Sequence, residues 1–174
     1  EVEQLLGLPV LGYVPALEAE RRDGRRGGQT NKTRDFLAIE EPHSILAESF
    51  RSIRTALSLS GNGQQGTMLL AISSASPKEG KSIVSINLAL ALARAGKKVL
   101  LVDADMRRPV IHAYFQQPVA PGLSEILLGG REWRELVKPA GIENLWVVCA
   151  GEMPARPGDL MAGPAMKRLV DEMR

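Results

Sequence analysis

A polar loop between two apolar segments constrains this chain more than any other feature. An apolar run at residues 68–72 precedes it, and an alanine-rich apolar run at 83–95 follows. This order predicts a strand, a loop and a helix. The loop ends in Gly80-Lys81-Ser82, and a glycine there lets backbone N–H groups approach an anion at the start of the helix. Lysine in this position contacts nucleotide phosphates, and the serine hydroxyl ligates Mg²⁺.

The loop departs from the strict phosphate-binding pattern at one position. Ala75 stands where that pattern has glycine. The glycine spacing alone is therefore a weaker indication than the strand–loop–helix order around it. The alternative interpretation is a polar loop with a solvated lysine.

The residues after the loop predict a layered α/β fold. Gly96 closes the helix that follows the loop, as glycine commonly does at helix ends. The continuous apolar run at 99–102 predicts a strand buried on both faces, which is typical of parallel sheets. Another strand is predicted at residues 145–149. Further helices are predicted over residues 44–59, 110–115, 125–128 (capped by Ser124), 132–137 and 161–173.

Two carboxylates directly follow the predicted strand at 99–102. They belong to Asp103 and Asp105. Ligands of open α/β sheets bind beyond the carboxyl ends of strands, so these side chains and the loop are expected at the same edge. Carboxylates there hold Mg²⁺ through water, and one can accept a proton from an attacking hydroxyl. For either residue, the alternative is capping of the following turn.

Composition excludes several classes of protein. The 174 residues suffice for one domain with a sizeable core, and the net charge of +2 gives no argument for nucleic acid. No uninterrupted apolar run approaches the length of a membrane span. The single cysteine, Cys149, excludes an internal disulfide and is expected in the core. His43 and His112 are isolated, so no zinc site or catalytic histidine is predicted.

The chain is predicted to have two parts. Residues 1–40 are an N-terminal segment with a flexible basic linker, and residues 41–174 are the phosphate-binding domain. In the helix at 44–59, Glu48, Arg51 and Arg54 share one side, which by spacing alone favours a solvated face with ion pairs. The chain begins at Glu1 rather than Met, so we interpret it as a piece of a longer protein.

Several stretches together resemble the cytoplasmic kinase domain of bacterial tyrosine kinases, the BY-kinases, which accompany capsule and exopolysaccharide chain-length regulators. Residues 73–82 are similar to their variant Walker A motif, including Ala75, and residues 100–109 to their Walker A′ motif. Residues 48–55 resemble a Glu-x-x-Arg-x-x-Arg helix that family members use for ring-like self-association. Residues 1–15, 122–129 and 150–157 are similar to the family as well, so the resemblance covers most of the chain.

The resemblance implies a P-loop NTPase-like, Rossmann-like fold with a mostly parallel sheet flanked by helices. It implies an ATP- and Mg²⁺-dependent protein-tyrosine kinase that autophosphorylates in trans and regulates exopolysaccharide or capsule polymerisation and export. Lys81, Asp103 and Asp105 are the implied catalytic residues, with Mg²⁺ at Ser82, Asp103 and Asp105. The residues expected to bind ATP or ADP are Ser76, Pro77, Lys78, Glu79, Gly80, Lys81, Ser82 and Ile83.

The implied partners follow from the same resemblance. A homo-oligomer would form through Glu48, Arg51 and Arg54. A membrane polysaccharide co-polymerase region, in the same or a separate chain, and protein tyrosine substrates are the other expected partners; nucleic acid is not. The implied location is the cytoplasmic side of the bacterial inner membrane.

Two departures from the family pattern affect the expected activity. Family members continue with an apolar strand ending in the Walker B aspartate, whereas this sequence ends at Arg174, where that strand is expected. The family's C-terminal tyrosine cluster is absent too, and the tyrosines present are Tyr13 and Tyr114. We therefore expect a C-terminally truncated domain that is weakly active or inactive.

Two other functions are compatible with parts of the sequence. Partition- or septum-positioning ATPases share the fold, but they carry a signature lysine at the position of Ser76, and Lys78 is displaced from it by two residues. A nucleotide-binding scaffold without catalysis, assembled with a membrane polysaccharide protein, is the second alternative. Nucleotide binding without tyrosine phosphorylation would distinguish the scaffold from a kinase.

Overall fold

The structure, a computed structural model, describes residues 7–15, 43–60 and 66–174, with the Ser60 side chain excepted. Contacts divide the chain into two units, residues 1–64 and 65–174, and each is described by itself. The boundary predicted after residue 40 lies outside the described residues. None of the described helices combines the length and apolar character needed to cross a bilayer.

The first unit contains helix α1, Ile45–Ser60. The helix begins here because the Ser44 hydroxyl accepts a hydrogen bond from the Ala47 N–H at 3.1 Å, which caps its first turn. Its buried side is formed by Leu46 and Ala47 together with Phe50, which lies one turn further along. The helix predicted at 44–59 is therefore confirmed to within one residue.

The second unit is built on a three-stranded sheet in the order β1-β3-β2. Strand β1, Val99–Val102, pairs in parallel with β3, Leu145–Val148, and β2, Lys138–Pro139, is antiparallel to β3. Both four-residue strands are the continuous apolar runs recognised in the sequence; β3 is mostly buried and β1 is half-buried. The parallel pairing is confirmed, while the short antiparallel strand was not predicted.

Helix α2, Lys81–Arg94, connects the loop to β1 and packs on the sheet. Its second half is buried on most sides, which explains its run of leucine and alanine. Gly96 has φ 79°, and the N–H groups of Gly96 and Lys97 bond to the carbonyls of Ala93 and Leu92. This is a Schellman ending, so the predicted role of Gly96 is confirmed.

The strand predicted at residues 68–72 is wrong for the chain as described. Residues 67–74 have no helix or strand, and Met68, Leu69, Leu70 and Ile72 are 37–52% exposed. An apolar run favours an extended backbone, but a strand also needs a neighbour for its N–H and C=O groups. None of the described strands pairs with this segment.

Short helices complete the second unit: α3, Ile111–Tyr114; α4, Leu123–Leu127; a 3₁₀ turn, Trp133–Leu136; α5, Pro157–Ala162; and α6, Pro164–Met173. The single helix predicted at 161–173 is wrong, because the extended Gly163 (ψ 166°) interrupts it and Pro164 starts a new helix. The predicted cap at Ser124 is also wrong, since that residue lies buried inside α4.

One hydrophobic cluster of the second unit lies between the sheet and its C-terminal helices. Its buried members are Met106, Leu123, Leu127, Val148, Ala150 and Leu169. Cys149 is buried and unpaired beside this cluster, as predicted. This packing fixes the carboxyl ends of β1 and β3, from which the candidate site is built.

Candidate nucleotide site

The loop before α2 turns sharply because two of its residues adopt left-handed backbone angles. Lys78 has φ 68° and Gly80 has φ 88°. A Cβ on Gly80 would meet no atom within 4 Å, so glycine is favoured there by backbone conformation and not by lack of space. The helix starts at the next residue, Lys81. The loop therefore delivers the chain directly into the first turn of α2.

The first turn of α2 is open to an anion. Gly80 occupies the N-cap position, and none of the described side chains caps this helix. The N–H groups at the start of a helix have no intrahelical acceptor and carry partial positive charge. Lys81 and Ser82 are half-buried in this turn, which adds an ammonium group and a hydroxyl group. The sequence analysis predicts that the ammonium group contacts phosphate and that the hydroxyl group binds Mg²⁺.

The loop already binds one carboxylate through its backbone. The Ser76 N–H donates to a Glu79 carboxylate oxygen at 3.1 Å, and the Ser74 hydroxyl donates to the Ser76 carbonyl at 2.8 Å. The Ser76 N–H thus faces a position that holds an anionic oxygen. Ser76, Pro77, Lys78 and Glu79 are exposed, so the loop surface is accessible to a larger anion.

Asp103 is buried and organises the backbone after β1. Its side chain is 3% exposed. One carboxylate oxygen accepts the Asp105 N–H at 3.2 Å, and the other accepts the N–H groups of Val110 and Ile111 at 3.2 and 3.1 Å. Asp103 therefore ties the start of α3 back to the end of β1. These contacts are those expected from the alternative interpretation, in which Asp103 caps the following turn.

Burial raises the pKa of the Asp103 carboxyl above its ordinary value. The three backbone N–H groups act in the opposite direction without cancelling this effect, and the nearby negative charge of Asp105 raises the pKa further. A carboxylate with a raised pKa is a better proton acceptor near neutral pH. The same side chain thus combines a structural role with an increased proton affinity.

Asp105 is more accessible than Asp103. It is half-buried, and one of its oxygens accepts the Arg108 N–H at 3.0 Å. Within the described part of the chain, its other oxygen accepts no hydrogen bond and Asp105 forms no ion pair. Asp105 is therefore the carboxylate of the pair that is better able to bind a cation.

The topology brings the loop and the two carboxylates to one edge of the sheet. Helix α2 packs on β1, and its C-terminus leads within a few residues to the start of β1. The helix is therefore expected to run antiparallel to β1, which places its N-terminal residue, Lys81, towards the carboxyl end of β1, where Asp103 lies. Glu48, Arg51 and Arg54 lie in the other unit on α1, where the Arg51 Nε is 3.2 Å from a Glu48 carboxylate oxygen.

The donor set at this edge fits nucleotide and Mg²⁺. Among the described residues no three His, Cys, Asp or Glu side chains form a ready metal cage. Mg²⁺ typically uses one or two carboxylates together with phosphate oxygens and water. A hydroxyl at Ser82 and carboxylates at Asp103 and Asp105, opposite an uncapped helix N-terminus, supply this kind of incomplete set.

Glu125 organises the backbone next to β3, a role that the sequence analysis missed. Its carboxylate accepts the Gly122 N–H at 2.5 Å and the Glu152 N–H at 3.0 Å. Burial raises the pKa of Glu125, but these bonds outweigh burial and hold the pKa below its ordinary value. Glu125 thereby joins the start of α4 to the segment that follows β3. The spacing of Gly122 and Glu125, that of half a capping box, is the signal that would have found it.

Comparison with known proteins agrees with this fold. A family model for the CobQ/CobB/MinD/ParA nucleotide-binding domain matches residues 70–167. The chain belongs to this family. It is 34% identical over 175 residues to the tyrosine-protein kinase ptk of Acinetobacter johnsonii, covering 99% of this chain and 23% of that protein. It is 31% identical over 193 residues to the succinoglycan biosynthesis transport protein ExoP of Rhizobium meliloti (strain 1021), covering 99% and 24%.

The solved kinase domain of the Escherichia coli tyrosine kinase ETK is similar too. It superposes with a TM-score of 0.81 at 30% identity, covering 97% of this chain and 65% of that domain. Both the resemblance to bacterial tyrosine kinases and the P-loop NTPase-like fold are thus confirmed. The chain spans about a quarter of the length of the two curated relatives.

Proposed function

We propose that this chain is the ATP-binding part of a protein-tyrosine kinase, which transfers the γ-phosphoryl group of ATP to a tyrosine hydroxyl. The observation that carries the proposal is the uncapped N-terminus of α2 with its half-buried Lys81 and Ser82. From the order of α2 and β1 along the chain, we expect this N-terminus at the sheet edge where Asp103 and Asp105 follow β1. Phosphoryl transfer requires positioning and charge neutralisation more than covalent catalysis. These residues supply both.

Each residue has a distinct role in this proposal. The backbone at Ser76–Ile83 surrounds the phosphates, and the Lys81 ammonium neutralises charge on the β- and γ-phosphates. The Ser82 and Asp105 oxygens hold Mg²⁺, which neutralises the negative charge that develops during transfer. Asp103 fixes the turn that carries Asp105. In the reaction the tyrosine oxygen bonds to the γ-phosphorus, the bond to the β-phosphate oxygen breaks, and an aspartate takes the tyrosine proton.

The biological setting belongs to the same proposal. The ExoP relative is a biosynthesis transport protein for succinoglycan, a polysaccharide. We infer that this kinase acts at the cytoplasmic side of the bacterial inner membrane, with a polysaccharide co-polymerase region in the same or a separate chain. Its substrates would be protein tyrosines, and its activity would regulate exopolysaccharide or capsule polymerisation and export.

A direct assay tests the kinase. The chain is incubated with Mg²⁺·ATP and a soluble peptide rich in glutamate and tyrosine, and phosphotyrosine is measured. Because a low rate is expected, chain and peptide are used at similar concentrations, so that a single turnover is detectable. We expect phosphotyrosine with the wild-type chain and none with Lys81→Met.

The negative outcomes separate the alternatives. ATP hydrolysis without phosphotyrosine would contradict the kinase and favour a partition-type ATPase. Nucleotide binding with neither reaction would favour a non-catalytic scaffold.

Self-association through α1 has its own test. Glu48, Arg51 and Arg54 lie on the exposed or half-exposed surface of α1, where they line a shallow groove with Thr55 and Leu59. Replacing Arg51 and Arg54 by alanine is expected to shift sedimentation velocity profiles towards monomer. A double replacement of the exposed Lys97 and Lys98 by alanine removes the same charge elsewhere and should leave the profile unchanged. Identical profiles for all three proteins would mean that the α1 surface is only solvated.

A further inference from the structure

We propose that Tyr13 is a phosphoryl acceptor of this kinase, modified by a second copy of the chain. The inference rests on the proposed function and adds the acceptor site. Tyr13 is 82% exposed. Within the described residues its hydroxyl makes no hydrogen bond, so it is available for transfer without breaking an existing contact.

The backbone around Tyr13 is not part of a helix or strand. Residues 7–15 have neither helix nor strand, so binding the segment in an extended form requires no unfolding. The segment is held at Gly12, where an added Cβ would lie 2.6 Å from the Ile53 Cγ1 of α1. Tyr13 is the next residue and is exposed, so the contact at Gly12 leaves its side chain accessible. Val10 and Val14 are half-buried, consistent with a segment that packs on one side only.

Tyr114 provides a comparison within the same chain. The sequence contains no tyrosine other than these two. Tyr114 is half-buried in α3 and already takes part in another interaction. Extending its backbone into a kinase active site would require α3 to unwind. Accessibility therefore favours Tyr13 by a wide margin.

The chemistry changes the charge of the segment strongly. The Tyr13 oxygen would bond to the γ-phosphorus of ATP, ADP would leave, and the phenol proton would pass to the aspartate pair. Residues 7–15 carry no charged side chain, and a phosphotyrosine would add roughly −1.5 to −2 charges at pH 7. A phosphate at this position therefore converts an uncharged segment into an anionic one.

Mass spectrometry of the whole chain after incubation with Mg²⁺·ATP tests the inference. Wild type, Tyr13→Phe, Tyr114→Phe and Lys81→Met are compared, each in the presence of the glutamate–tyrosine peptide. We expect the phosphate on Tyr13, nearly complete loss of chain labelling in Tyr13→Phe, and unchanged labelling in Tyr114→Phe. Lys81→Met, unlabelled alone, is expected to become labelled at Tyr13 when mixed with wild type, which establishes transfer between copies.

The outcomes distinguish the acceptor from the kinase. A labelled peptide with an unlabelled Tyr13, or with phosphate on Tyr114 instead, would overturn the inference and leave the proposed function standing. An unlabelled peptide would contradict the proposed function. In that case the inference, which rests on the proposed function, is overturned with it.

Discussion

Replacing Lys81 by methionine is expected to abolish the thermal stabilisation that Mg²⁺·ADP gives the chain. A ligand at 100 times its Kd adds about 2.7 kcal/mol to the free energy of unfolding, which is readily seen as a shift in Tm. Methionine keeps the length and the apolar stem of lysine but removes the cation that faces the phosphates. Lys81 is half-buried and, among the described residues, forms no ion pair, so the fold itself should be retained.

Lys98 supplies a matched control for this substitution. It is exposed and precedes β1, at the end of the strand opposite the loop. Lys98→Met should keep the full ADP shift. An equal shift in the wild type and Lys81→Met would show that the nucleotide binds elsewhere. A cooperative wild-type transition with no shift would show that this chain folds without a working nucleotide site.

The sequence predicted those elements whose local pattern matches their final environment. Residues 99–102 and 145–148 are apolar throughout and pair in parallel, with the first strand half-buried and the second mostly buried. Helix α2 follows a left-handed glycine and ends at another, and both glycines are visible as sequence signals. In each case the residue types that favour the local conformation also satisfy the packing around it.

Prediction from the sequence was wrong where an element depends on a partner that is distant in the sequence or on competing residues. Residues 68–72 are as apolar as β1, yet no described strand pairs with them. The start of α4 was misplaced because the Glu125 carboxylate and close packing at Gly122 determine it, rather than the nearer Ser124. These outcomes depend on which groups meet in space, which hydrophobic periodicity does not encode.

The candidate site shows the same division. Residue types and spacing identified Lys81, Ser82, Asp103 and Asp105 as a group. They did not reveal that the Asp103 oxygens accept N–H groups from as far along the chain as Ile111. That these carboxylates lie near the loop stays a prediction from sequence chemistry, while the structure distinguishes an organising aspartate from a more accessible one.

This distinction predicts opposite effects for the two aspartates. Asp103→Ala leaves three backbone N–H groups without their acceptor, one of them buried at Ile111. Because an unsatisfied buried donor costs about 1–3 kcal/mol, we expect the free energy of unfolding to fall by about 3 kcal/mol. Asp105→Ala loses one exposed bond from Arg108 and should cost less than about 1 kcal/mol. Urea denaturation of both variants and the wild type measures these differences.

The pH dependence of the first effect has a defined sign. Burial raises the pKa of Asp103 above its ordinary value of 3.8, so the folded chain keeps this proton to higher pH than the unfolded chain does. The free energy of unfolding therefore decreases as pH rises from 3.8 through the raised value. Asp103→Ala lacks this contribution. The stability difference between wild type and Asp103→Ala should thus be largest at low pH and shrink as pH rises through this window.

The Asp105 substitution, which costs little stability, is expected to abolish activity. Asp105→Ala is expected to fold normally, bind ADP and yet lose phosphoryl transfer to the peptide, because its accessible oxygen is the one proposed to hold Mg²⁺. Asp105→Asn, which keeps the shape and the bond from Arg108 but not the charge, should also be inactive. If Asp105→Asn transferred phosphate at the wild-type rate while remaining stable, the charge of Asp105 would not be needed. Any carboxylate charge that transfer requires would then have to come from Asp103.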